Sequence, residues 1–169
     1  MKKVILITGG TRSGKSRYAE QLALSLSAAP VYVATAHVWD EEFRERVRKH
    51  QERRGPEWTN IEEERHLSRH DLTGRVAVID CITLWATNFF FEQEQVETAF
   101  EALKREFDLF TAHDATYIFV TNEIGMGGIS ENDVQRRFTD LQGWMNQYVA
   151  QRADEVVLMV SGIAVKIKG

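Results

Sequence analysis

Apolar and polar positions fall into short blocks along this chain, and the period of the blocks changes from one to the next. KVILIT (residues 3–8) is an apolar run that ends at two glycines, which predicts a buried strand. SRYAEQLALSLSA (16–28) places Ala19, Leu22, Ala23 and Leu26 on one face of a helix. PVYVAT (30–35) reads as a second strand. Residues 40–54 follow a helical pattern that Gly55-Pro56 stops. RVAVID (75–80) is a third strand, and a helix over 94–111 turns Val96, Phe100, Leu103 and Phe107 inward. TYIFVTN (116–122) is a fourth strand. The spacing predicts a last helix over 131–152, with Ser130 and Asp133 spaced like a capping box. EVVLMV (155–160) and AVKIK (164–168) complete the set as a fifth strand and an edge strand. Strands alternating with helices predict an α/β fold: a mostly parallel sheet flanked by helices, with right-handed crossovers.

Composition narrows this picture. No repeat, low-complexity tract or linker interrupts the 169 residues, so residues 1–169 read as a single domain. With 43% hydrophobic and 27% charged residues, the chain is expected to be soluble and globular. No apolar run approaches the roughly 20 residues of a membrane span. The basic start is followed too soon by a loop motif to be a signal peptide. Cys81 is the only cysteine, which excludes an internal disulfide and points to a reducing cytoplasm. A formal net charge of −4 argues against nucleic acid as the main ligand.

GGTRSGKS (9–16) supplies the first candidate chemistry. Gly9, Gly14, Lys15 and Ser16 fit the pattern G-x-x-x-x-G-K-[ST], between a predicted strand and a predicted helix. Glycines let successive backbone N–H groups turn inward around a phosphate, and the helix start adds its positive end. Lys15 can reach the outer phosphates, and the Ser16 hydroxyl can ligate Mg²⁺. Asp80 ends the third strand, where a carboxylate holds Mg²⁺ or nucleotide, or else caps the following helix. Glu123 ends the fourth strand in the same manner, and could activate a hydroxyl or hold water. The glycine-rich NEIGMGGIS (122–130) is either a loop that closes over substrate or a plain connector.

RERVRKHQERR (44–54) reverses the local sign of charge, with six basic residues against Glu45 and Glu52. Helical spacing puts Arg46, His50 and Arg54 on one face, with Arg53 adjacent. A neutral imidazole is a good nucleophile toward an activated phosphoryl centre, and flanking arginines offset the charge of the phosphates it attacks. Taken alone, the segment reads more simply as a surface histidine on a solvated helix. His37, His66, His70 and His113 have no comparable setting.

Taken in order, several segments resemble one family. They are ITGGTRSGKSRYAE, VYVATA followed by DEEFRERVRKHQERR, WTNIE, IDCITLWATN, VTNEIGMG, RRFTDLQGWMNQYVAQRADEV and VSGIAVKIK. The family is the bifunctional adenosylcobinamide kinase / adenosylcobinamide-phosphate guanylyltransferase of cobalamin biosynthesis. The resemblance implies a RecA-like P-loop domain assembled as a homotrimer, with Mg²⁺ as cofactor. It implies that ATP or GTP phosphorylates the aminopropanol hydroxyl of adenosylcobinamide. GMP from GTP then passes through a guanylyl-histidine to adenosylcobinamide phosphate, giving adenosyl-GDP-cobinamide. On this chain the resemblance makes His50 and Lys15 catalytic. Nucleotide contacts fall on Gly9, Gly10, Thr11, Arg12, Ser13, Gly14, Lys15 and Ser16, then on Ala34, Thr35 and Ala36. Others fall on Gln51, Glu52, Arg53, Arg54, Glu62 and Asp80, and the metal falls on Ser16 and Asp80. This chain has Lys49-His50 where some members have two adjacent histidines. It has Gly128 and Ser130 where an aliphatic residue and a proline are usual, so Ser130 is expected to cap the helix. The readings that compete with the bifunctional enzyme are a small-molecule P-loop kinase only, and a nucleotide-gated binding module.

Overall fold

The computed structural model describes residues 1–169. In chain order the elements are β1 (Lys3–Gly9), α1 (Lys15–Leu26), β2 (Val31–Ala34), α2 (Glu41–Arg53) and β3 (Thr59–Glu62). They continue with β4 (Val76–Asp80), α3 (Ile82–Phe90), α4 (Val96–Phe110), β5 (Thr116–Val120), α5 (Asp133–Arg152), β6 (Glu155–Val160) and β7 (Ile163–Lys168). One sheet runs β3-β2-β4-β5-β1-β6-β7. Every pairing is parallel except the closing β6–β7 hairpin. The mostly parallel α/β architecture expected from the block pattern is therefore the observed one.

The central strands are apolar throughout because both faces of the sheet are covered. Alternate residues point to opposite sides, so each strand feeds two cores. Ile5, Ile7, Tyr32, Val78, Ile118, Val120 and Val157 face α1, whose Ala19 and Ala23 pack flat on them. Val4, Leu6, Val33, Ile79, Tyr117 and Phe119 face the other way, onto α3, α4 and α5 through Trp85, Leu103, Phe107, Leu141, Met145 and Val149. Each fully buried side chain of this size contributes roughly 1.5–3 kcal/mol. Edge-to-face contacts such as Phe110–Tyr117, centroids 5.1 Å apart, add orientation to that burial.

Several boundaries differ from the sequence reading, each for a physical reason. β3 was not anticipated, because Thr59, Asn60 and Glu62 are polar and the strand is a solvent-facing edge. α3 was not anticipated either. ITLWATNFF is nearly all apolar, and Trp85, Ala86 and Phe89 are buried, so no amphipathic period shows. Ser130 does not cap α5. Asn132 does, accepting from Gln135 N at 2.9 Å, while the Ser130 hydroxyl accepts from Asn132 N at 3.1 Å. Leu26, expected on the inner face of α1, is half exposed at the helix end. α2 starts on an Asp40 cap that accepts from Phe43 N at 2.8 Å, and it buries none of its residues. No helix is long and apolar enough to cross a membrane.

Candidate active site

The site lies at the C-terminal edge of the parallel strands, where β1 gives way to α1. Gly9 leaves β1 with φ +157°, and a Cβ there would lie 2.7 Å from the Met159 carbonyl. Gly14 takes φ +92° as the residue before α1, a conformation that L side chains rarely adopt. Between them Arg12 also stands in the left-handed region, φ 54°. The turn leaves the Ser13 hydroxyl buried without a hydrogen-bond partner. Lys15 is buried, and its ammonium donates to the Gly10 carbonyl at 2.5 Å. Burial lowers the pKa of this amine, and the Asp80 carboxylate pulls it back up. Glycine conformation, an unpartnered hydroxyl, a buried cation and the start of a twelve-residue helix thus converge on one loop.

Asp80, the last residue of β4, faces this loop. Its Oδ2 accepts from Ser16 Oγ at 2.6 Å and from Tyr32 OH at 2.8 Å. A hydroxyl and a carboxylate in contact are hard oxygen donors of the type Mg²⁺ takes. Mg²⁺ commonly completes its shell with substrate phosphates and water rather than with a protein cage. The donor set therefore fits an ion that arrives with the nucleotide.

Tyr32 and Arg54 support Asp80 from below. The Arg54 guanidinium stacks 3.5 Å from the Tyr32 ring centroid, and its Nε donates to Asn60 Oδ1 at 3.0 Å. Its Nη1 stands 3.8 Å from Glu20 Oε1. Burial and the neighbouring Asp80 carboxylate push the Tyr32 hydroxyl well above its ordinary pKa, so it remains a donor. Arg54 is thus buried rather than exposed, yet with Arg46 and His50 it still lines one cleft. The chain leaves the helix at Arg54, with φ −84° and ψ 135°, and turns the side chain inward. Tyr32 lies in VYVATA but the sequence assigns it no role there, since its only signal is one hydroxyl in an apolar strand.

His50 lies across from Asp80. A cleft of about 230 Å³ is bounded by Ser16, Asp80, Ala34, Ala36, Arg46 and His50. The imidazole takes part in none of the side-chain hydrogen bonds of α2. Arg46 pairs with Glu42 at 2.8 Å on the helix surface. Gln51 donates to Glu62 at 3.0 Å, Glu52 lies 3.7 Å from Arg48, and Arg53 lies 3.7 Å from Glu20. Thr35 is fully buried behind the cleft, where its hydroxyl donates to the Cys81 carbonyl at 2.7 Å and accepts from Cys81 N at 2.9 Å. Of the three residues after β2, Ala34 and Ala36 line the cleft and Thr35 braces its floor.

A family model described as cobinamide kinase / cobinamide phosphate guanyltransferase matches residues 5–167. This chain belongs to that family. The bifunctional adenosylcobalamin biosynthesis protein CobU of Salmonella typhimurium is 40% identical over 183 residues, covering 98% of this chain and 99% of the relative. The corresponding protein CobP of Pseudomonas aeruginosa is 36% identical, covering 97% and 96%. An ATPase from the type III secretion system of pathogenic bacteria superimposes with a TM-score of 0.55 at 11% identity, over 97% of this chain and 56% of that one. That likeness shows the fold alone, the mostly parallel sheet flanked by helices. Membership in the cobinamide kinase / guanyltransferase family assigns two transfer reactions to the chain, a phosphoryl and a guanylyl transfer.

Proposed function

We propose that both reactions of this bifunctional enzyme of cobalamin biosynthesis run on one triphosphate cradle, Gly9–Ser16, and that His50 carries the guanylyl group. The observation that carries this reading is that His50 bounds the same cleft as Ser16 and Asp80. In the first reaction the aminopropanol hydroxyl of adenosylcobinamide attacks the γ-phosphorus of ATP or GTP, and a nucleoside diphosphate leaves. In the second, the His50 imidazole attacks the α-phosphorus of GTP and pyrophosphate leaves. The phosphate of adenosylcobinamide phosphate then attacks the same phosphorus, and His50 departs as the leaving group. Ser16 and Asp80 would hold Mg²⁺, which would supply charge neutralisation at the phosphates. Lys15 and the loop N–H groups orient and neutralise the triphosphate, and Arg46 lies on the cleft wall beside His50. Ala34 and Ala36 leave room for a base, while the Gln51–Glu62 pair offers polar contacts at the cleft margin. A homotrimer is the expected assembly, and the apolar exposed β7, with Ile163, Val165 and Ile167, supports self-association. A cytoplasmic setting suits its single free cysteine.

The test is incubation with α-labelled GTP followed by intact-mass measurement and acid treatment. We expect a GMP adduct that is stable in base and lost in acid, as a phosphoramidate should be. His50→Ala should abolish that adduct and guanylyl transfer, while phosphorylation of adenosylcobinamide falls far less. An adduct that survives in His50→Ala, or that maps to His37 or His66, overturns the assignment.

A further inference from the structure

We propose that Glu123 is the general base of the phosphoryl-transfer step, and that the acceptor hydroxyl reaches the nucleotide from the sheet face opposite to His50. The proposal rests on the kinase reading above.

Two carboxylates approach the phosphate loop, and the sheet sends them to different sides. Asp80 shares the parity of Val78 and the side of Tyr32, the face covered by α1. Thr8 continues the parity of Val4 and Leu6, the face covered by α3, α4 and α5. Glu123 belongs to that second face, because Thr8 Oγ1 donates to its Oε1 at 2.6 Å. Its backbone N–H also donates to the Gly9 carbonyl at 3.0 Å, fastening it to the first residue of the loop. Asp80 is already engaged by Ser16 and Tyr32 and sits on the His50 side. Glu123 has that one side-chain hydrogen bond only, and its second oxygen is free to accept a proton.

The support behind Glu123 is more elaborate than a connector needs. Thr121 and Gln142 are fully buried, and Asn146 nearly so. Gln142 Nε2 donates to the Asn122 carbonyl at 2.6 Å and to Thr83 Oγ1 at 2.7 Å. Asn146 Nδ2 donates to the same carbonyl at 3.2 Å, Thr121 Oγ1 donates to Asn146 Oδ1 at 2.6 Å, and Asn122 N donates to Thr83 Oγ1 at 3.1 Å. Buried polar networks are costly when incomplete and rigid when complete. No fully buried side-chain atom of this network is left without a partner, and the network holds the two residues that precede Glu123. Immediately after Glu123 the chain opens into an exposed glycine-rich turn, with Met126 and Ile129 outward. A carboxylate held on a rigid strand end, beside the phosphate loop and open on its far side, is placed to meet an incoming alcohol.

The step balances without any further reactant. The acceptor oxygen forms a bond to the γ-phosphorus, the bond from that phosphorus to the bridging oxygen breaks, and the hydroxyl proton passes to Glu123. The nucleoside diphosphate leaves, and Glu123 returns the proton to water. His50 takes no part, because it works at the α-phosphorus from the other face.

The experiment compares Glu123→Gln with Thr8→Val and scores two readouts on each protein. These are kcat and KM for phosphorylation of adenosylcobinamide, and the rate of GMP adduct formation. The Gln amide oxygen can still accept from Thr8, so the bridge is kept and only the base is lost. We expect Glu123→Gln to lower kcat by about 100-fold or more, the range of a lost general base, with little change in KM. Adduct formation should fall far less. Glu123→Asp should recover part of the loss. Thr8→Val, which breaks the bridge but keeps the carboxylate, should cost much less than Glu123→Gln. The proposal is overturned if Glu123→Gln stays within about threefold of wild type. It is also overturned if both readouts fall together, or if Thr8→Val costs as much, since Glu123 would then only hold the loop. Loss of the adduct in the wild type would sink the His50 reading and leave the kinase comparison standing.

Discussion

Replacing Thr35 by valine should destabilise the chain by about 2–4 kcal/mol, although the substitution keeps shape and apolar area. The Thr35 hydroxyl is the acceptor for Cys81 N and a donor to the Cys81 carbonyl, at 2.9 and 2.7 Å, in a fully buried position. The carbonyl keeps a second partner, the amide of Trp85 at 3.1 Å. The Cys81 N–H loses the partner that Thr35 supplied. An unsatisfied buried donor costs about 1–3 kcal/mol, and the lost bond to the carbonyl about 0.5–1.5 kcal/mol more. At about 2–4 °C per kcal/mol for a chain of this size, the melting temperature should drop by about 4–16 °C. Urea titration should show a lower midpoint with an unchanged slope. Thr35→Ser keeps the hydroxyl and loses a methyl, so it should cost only about 1 kcal/mol. The reasoning is refuted if Thr35→Val lies within about 0.5 kcal/mol of wild type, or if Thr35→Ser proves the more damaging of the two.

If both reactions run on one cradle as proposed, Lys15→Ala should remain folded and lose phosphoryl transfer and adduct formation together; a wild-type rate for either would separate the sites. Burial pushes the Cys81 thiol from its ordinary value near 9 up to about 12. The unfolded thiol releases its proton first, so the folded chain binds more protons above about pH 9. Stability should then be fully present below about pH 9 and decline toward pH 12. Urea midpoints measured upward from about pH 8 should fall less steeply in Cys81→Ala, and equal slopes would refute the assignment. Cys81 in the native protein should also resist thiol reagents until denaturant is added.

What was legible in the sequence follows from where the physics is local. Gly9, Gly14, Lys15 and Ser16 were readable because phosphate binding demands those residue types at fixed spacing, and the flanking strand and helix have clear periods. β3 was not readable, since an edge strand whose inward residue is Ile61 looks like a polar loop. α3 was hidden by the opposite excess: a helix apolar on nearly every side has no period to detect. Arg54 shows a third limit. Its spacing from His50 predicts a shared face, which the common cleft keeps, but its burial comes only from the tertiary stack on Tyr32. The paired hydroxyls of Thr8 and Tyr32 were invisible for the same reason, because their carboxylate partners lie 115 and 48 residues away.

The position of β1 in the sheet has a consequence for the order in which the molecule is made. The Gly9–Ser16 loop is synthesised before its flanking strands, since β1 pairs only with β5 and β6. Val4 N reaches Asp154 across 150 residues, and Gly162 N clasps the Ser13 carbonyl of the loop itself at 2.9 Å. A chain that stops short of β6 is therefore expected to lack the partners that shape its phosphate motif. Such long-range closure slows folding, and it ties any stabilisation by ligand to the closing of the sheet. In a synthesis experiment, nucleotide capture should report completion of the sheet, and chains arrested before β6 should pass a GTP resin without being held.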